Sequence, residues 1–215
     1  MNHFIGELLG TFILVLLGDG VVGGNVLKGT KEEGTGWNAI AIGWGIAVAV
    51  AIYAVSPLTP AHLNPAVTLA MASIGKLVWS EVPVFIAGQF IGAMLAACAL
   101  WIHYHPHFKE TSDQGAILGT FATAPAVRHT PSNFFGEALG TAVLMIAILS
   151  IDPNKVGAGF APIIVGFTIT AVGYSLGGTT GFAINPARDL GPRVMHALLP
   201  IPNKGGSDWS YSWIQ

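Results

Sequence analysis

Charge is what this chain of 215 residues has least of. Lys, Arg, Asp and Glu together make 9% of it, against 52% hydrophobic residues. Soluble domains carry roughly 25% charged residues, so a surface wetted on all sides is excluded. The composition is that of an all-α integral membrane protein, multi-pass in the cell membrane with the lipid bilayer as its surroundings. A net charge of −2 and the lack of any basic cluster exclude nucleic acid as a partner. A single cysteine, Cys98, excludes an internal disulfide. No Asn-x-Ser/Thr sequon occurs, and the N-terminus has no basic run but does have Glu7, so it reads as a retained span and not a cleaved signal. Neither Gly-x-Ser-x-Gly nor His-Glu-x-x-His is present; the chain is read as no enzyme, with no catalytic residue, no cofactor and no metal. His103, His105 and His107 alternate around Pro106 and read as an interfacial loop in preference to a metal site.

What the chain does have is long apolar runs. Segments near 4–26, 37–56, 83–103, 134–152 and 159–176 are each long enough for a ~30 Å hydrocarbon core, which needs ~20 helical residues. Turn and charge signals separate them, including a connector from Tyr104 to Pro131. Two further segments are shorter. Residues 61–69 and 182–190 each contain Asn-Pro-Ala: Asn64-Pro65-Ala66 and Asn185-Pro186-Ala187. Asn caps a helix start and Pro suits its first position. From Asn64 to Gly75 a helix covers only ~16 Å, so both read as re-entrant half-helices entered through extended approaches, residues 57–63 and 177–184. Irregular backbone at membrane depth is tolerated only inside protein or along a cavity.

The chain also repeats. Gly6-Glu7-Leu-Leu-Gly10-Thr11 matches Gly136-Glu137-Ala-Leu-Gly140-Thr141, and each is followed in order by a span, an extended approach and Asn-Pro-Ala. Three spans per copy turn the second copy over, which implies an inverted repeat with its site at the midplane. The expectation is one membrane channel domain over 1–215, with a first repeat of about 1–110 and a second of about 130–215. The repeat calls for one more span after Trp213, so a final sixth span absent from this chain, through truncation, is expected. Trp209, Tyr211 and Trp213 read as an interfacial aromatic belt. Lysines and arginines fall on both sides and leave orientation open.

An inverted repeat brings two helix N-termini together. Each contributes about half a positive charge and one Asn amide, so the centre offers donors and repels cations. Carbonyls of Ala61, His62, Leu63, Gly181 and Ala183 are expected to line a pore as acceptors. Arg188, one turn past Asn185, is expected at a constriction, since a guanidinium within the membrane is functional by default; pairing with its neighbour Asp189 is disfavoured because adjacent helical residues diverge. Glu7 and Glu137 are expected to accept hydrogen bonds from the approaches, as structural buried carboxylates. Gly6/Gly10, Gly88/Gly92 and Gly136/Gly140 read as close helix contacts. The pattern suits passive passage of a neutral, hydrogen-bonding solute. An ion-coupled secondary transporter is the alternative; it would need a carboxylate on the pathway, and the in-span acids are Glu7, Asp19 and Glu137.

His62-Leu63-Asn64-Pro65-Ala66-Val67-Thr68, Gly181-Phe182-Ala183-Ile184-Asn185-Pro186-Ala187-Arg188 and both Glu-x-x-Gly-Thr segments resemble the major intrinsic protein family, the aquaporins and glycerol facilitators, over the whole chain. Asp189, followed by Gly191-Pro192-Arg193, resembles the glycerol-facilitator branch. The resemblance implies an aquaporin-like fold, a homotetramer, and a selectivity filter at Trp44, Gly173, Phe182 and Arg188. It also implies glycerol and water as solutes, with urea, lactic acid and hydrogen peroxide as further candidates whose order is not set by sequence. Pro60 stands where the facilitators carry Gly, which constrains φ there.

Overall fold

A computed structural model describes residues 2–157 and 159–214. Helix α1 spans Asn2–Val26 and α2 Trp37–Val55; the short α3, Pro65–Ser73, precedes α4, Val82–His103. Two one-and-a-half-turn helices, α5 (His105–Glu110) and α6 (Gln114–Gly119), lead to α7, Thr130–Ser150. Helix α8 covers Ala161–Ser175 and α9 Pro186–Leu198. Helices α1, α2, α4 and α7 are long and apolar enough to cross a membrane, and their outward faces, with Ile102, Phe134, Phe135 and Ile146 exposed, suit lipid. Helix α8 has 15 residues, three fewer than the 159–176 run, because Phe160 and Leu176 already cap it. Helices α3 and α9 have nine and 13 residues, ~14 and ~20 Å at 1.5 Å per residue, too short to cross.

Packing rests on glycine at two crossings. A Cβ on Gly88 would lie 2.7 Å from the Phe4 carbonyl oxygen, and one on Gly92 would run into that of Leu8, so α4 lies directly on the α1 backbone. On the other side Gly45 of α2 and Gly166 of α8 face each other: a Cβ on either would meet the other's carbonyl oxygen, at 2.6 and 2.5 Å. All three predicted glycine pairs include a close contact with another helix, but only Gly88/Gly92 sets both glycines on a neighbouring helix backbone. Gly10 receives Val55 of α2 together with Leu63, and Gly140 receives Val172 of α8 together with Ile184; Gly6 receives Thr59 and Leu58, and Gly136 has nothing nearer than 3.7 Å. A small-residue pair thus admits side chains of the approaches as well as a helix.

The segment from Tyr104 to Pro131 is more ordered than a connector. Pro106 starts α5, and the Asp113 carboxylate caps α6 by accepting from the N–H groups of Gly115 and Ala116. Phe108, Ile117 and Phe121 are fully buried with Leu27 and Ala97. The histidines are therefore helical here, and the His107 ring donates from Nδ1 to the Lys28 carbonyl at 2.9 Å. The aromatic belt also divides: Trp213 is exposed, but Tyr211 is buried, with Arg128 5.9 Å above its ring.

Candidate functional site

The two Asn-Pro-Ala segments meet. Asn64 has an extended backbone and caps α3, its Oδ1 accepting from Ala66 N at 2.9 Å; Asn185 caps α9, accepting from Ala187 N and Arg188 N at 3.1 and 3.2 Å. Pro65 and Pro186 occupy the first helical positions, where no N–H is missed. With each Oδ1 committed to its own helix, each amide nitrogen points across: Asn64 Nδ2 donates to the Ile184 carbonyl and Asn185 Nδ2 to the Leu63 carbonyl, both at 2.8 Å. The bonds are reciprocal, each Asn holding the last carbonyl of the opposite approach. Each NH₂ keeps a second hydrogen beyond the one used in that bond.

The approaches match in backbone as well as in sequence. Ala61 and Leu63 have φ of 56° and 52°; Phe182 and Ile184, at the same distances from their Asn, have 43° and 39°. L-residues visit this region rarely, and alternation of left-handed and extended residues turns successive peptide groups in opposite senses. The resulting N–H groups go to the two predicted carboxylates. Glu7 accepts from His62 N (3.0 Å) and Leu63 N (2.7 Å), and also from Thr59 Oγ1 and Gln89 Nε2, both at 2.7 Å. Glu137 accepts from Ala183 N (3.2 Å) and Ile184 N (2.7 Å).

A cavity of about 320 Å³ runs beside the two approaches. It is bordered by Ala61, His62, Leu63, Asn64, Ala183, Ile184 and Asn185, by the side chains of Trp44, Phe182 and Arg188, and by an apolar wall that includes Leu14, Val48 and Ile169. Three of the four predicted filter residues thus share one cavity. Gly173 does not border it: its site is a seat, where a Cβ would be 3.1 Å from both Phe182 Cζ and Ala41 Cβ. The Gly173 carbonyl accepts from Trp37 Nε1 at 2.9 Å, and Trp37 meets Phe182 edge to face at 5.7 Å. Gly173 therefore sets where the Phe182 ring lies, with Trp37 behind it. Gly181, predicted to offer a carbonyl, is absent from the cavity border; its φ is 91° and Thr123 occupies the place of a Cβ at 2.9 Å. It is a glycine because Thr123 packs on it. Leu63 borders the cavity, and its carbonyl oxygen is bonded to Asn185.

Arg188 lies with Cζ 4.1 Å from the centroid of Trp44, both side chains nearly inaccessible. Its ionic partner is not its neighbour. Asp189 accepts from Thr123 N and Oγ1 (2.7 and 3.0 Å) and from Arg193 Nε (2.9 Å), and Arg193 in turn donates to the carbonyls of Thr123 and Ser207. Asp189 thereby fastens α9 to the chain around Thr123, next to Gly181. The carboxylate beside Arg188 belongs to Asp19 of α1, 3.1 Å from Nη1. In the sequence Asp19 stands out only as an in-span acid, an isolated carboxylate one position after Gly18. Gln89 leaves no signal in the sequence, since a carboxylate-binding amide has no motif; the Ile184 carbonyl belongs to the approach and is taken by Asn64.

Among the described residues, a helical bundle with four helices long and apolar enough to cross a membrane, and with two short capped helices meeting beside a cavity, has the build of a membrane channel. The chain belongs to the major intrinsic protein family, whose model matches residues 1–215. It is 54% identical over 212 residues to glycerol uptake facilitator protein 3 of Lactiplantibacillus plantarum, covering 99% of this chain and 88% of that protein. It is 51% identical to the glycerol uptake facilitator protein of Bacillus subtilis, covering 100% and 78%. Among solved structures it resembles the aquaglyceroporin from Plasmodium falciparum, with a TM-score of 0.87 at 31% identity over 99% of this chain and 88% of that one.

Proposed function

We propose that the chain is a passive transmembrane channel through which glycerol and other small neutral solutes, water among them, diffuse. The observation that carries this reading is the reciprocal pair of Asn amides beside a cavity with Arg188, Trp44 and Phe182 on its wall. Two aromatic faces accommodate the carbon chain of a polyol. Arg188 donates to its hydroxyls, and carbonyls of Ala61, His62 and Ala183 accept from them. Gly173 contributes by letting Phe182 sit back. Helices α3 and α9 act as half-helices entering from opposite faces of an inverted repeat, about 1–110 and about 130–215, so that their positive ends meet near the membrane midplane and repel cations. Urea, lactic acid and hydrogen peroxide are small enough to be tested beside glycerol. A homotetramer, each copy with its own pore, completes the proposal.

The family is one of channels, and the ion-coupled reading lacks a residue to couple through. Glu7 and Glu137 are occupied by backbone N–H groups and Asp19 lies against Arg188. In liposomes containing the full chain, a glycerol gradient should cause fast swelling that an ionophore does not alter. Uptake that depends on a proton or sodium gradient would overturn the channel reading.

A further inference from the structure

We propose that Asp19 is a specificity-determining residue of the filter: it cancels the charge of Arg188, so that the constriction offers hydrogen-bond donors without a net positive field. The inference rests on the reading of Arg188 as a filter residue. Asp19 is fully buried, its Oδ1 lies 3.1 Å from Arg188 Nη1, and among the described residues neither of its oxygens has a hydrogen-bond partner of good geometry. The Trp44 ring presses on Gly18, next to Asp19, and carries the guanidinium on its face. Carboxylate, guanidinium and indole are therefore one cluster built from α1, α2 and α9.

Among the described residues, the carboxylate paired with Arg188 is that of Asp19. Asp189, its sequence neighbour, is bound to Arg193 and Thr123. The two buried ion pairs, Arg188 with Asp19 and Arg193 with Asp189, hold two charges of each sign. A buried ion pair is a weak source of stability against an apolar pair of equal volume, so its consequence is better sought in the field at the cavity. The guanidinium has five N–H donors; a contact through Nη1 leaves the remainder of the fork for a solute. With Asp19 present the positive potential is confined to the two helix ends at the centre. Without it, an uncompensated cation stands one turn from those ends, and a small anion meets a continuous attractive path.

The test is nitrate entry into proteoliposomes containing the full chain, measured beside glycerol swelling. Swelling of the unaltered protein examines the channel by itself, and nitrate selectivity among variants examines Asp19. Asp19→Asn keeps shape and removes charge; it should raise nitrate permeability at least about tenfold, and Asp19→Glu, which retains the charge, should not. The double variant Asp19→Asn/Arg188→Gln should return nitrate entry to the unaltered level. Asp19→Ser repeats the comparison if the asparagine variant does not assemble. Nitrate exclusion undiminished in the neutral variants, or a leak that persists once Arg188 is also replaced, would overturn the proposal, since mere distortion of the filter would leak with or without the arginine.

Discussion

The two buried glutamates do the same job with unequal means, and the difference is measurable. Glu7 accepts four hydrogen bonds, two of them from backbone; Glu137 accepts two, both from backbone. In Glu7→Gln the new NH₂ can be met by the Thr59 hydroxyl turned to accept, but the His62 N–H beside it is stranded. Three bonds survive as neutral ones, each weaker by ~1 kcal/mol, and a buried N–H without a partner costs ~2 kcal/mol, so the loss is ~5 kcal/mol. In Glu137→Gln one bond is weakened and one N–H stranded, a loss of ~3 kcal/mol, the new NH₂ being met by a water in the cavity that residue 137 borders with Thr141. The ~2 kcal/mol between them corresponds to ~30-fold in the local opening equilibrium. Hydrogen exchange read by mass spectrometry on the detergent-solubilised protein measures this directly. Residues 59–64 should lose protection in Glu7→Gln, and residues 182–185 should lose about 30-fold less in Glu137→Gln. Equal losses in the two variants would refute the bond-by-bond reasoning, as would loosening of the far approach as much as the near one.

Three further outcomes follow from the glycines. Gly173→His should reduce glycerol flux more than water flux in stopped-flow swelling, because a side chain there must displace Phe182 or Ala41, each only 3.1 Å from the Cβ position; equal reduction of both would separate residue 173 from the filter. Gly166→Ala should lower the temperature at which the protein aggregates in detergent, by an overpacking cost of ~1–3 kcal/mol, since its Cβ would meet the Gly45 carbonyl oxygen at 2.5 Å. Gly136→Ala, with nothing closer than 3.7 Å, should leave that temperature unchanged.

By itself the sequence determined the class, the long helices and the pairing of the two Asn-Pro-Ala segments, because these rest on local or additive properties. Scarcity of charge, run length, a capping Asn and a Pro at the first helical position act within a few residues. The repeat also made Glu7 and Glu137 legible as partners of the approaches, since an extended segment in lipid must send its N–H groups somewhere. What only the tertiary structure decided depends on distance between segments remote in sequence. Asp19 and Arg188 are 169 positions apart (188 − 19) yet in contact. Asp189 turns away from its neighbour to Arg193 and Thr123, and Gly173 proves to be the seat of Phe182 in place of a piece of wall. The direction of an arginine and the occupant of a glycine's empty space are set by what packs against them, and no local pattern records that.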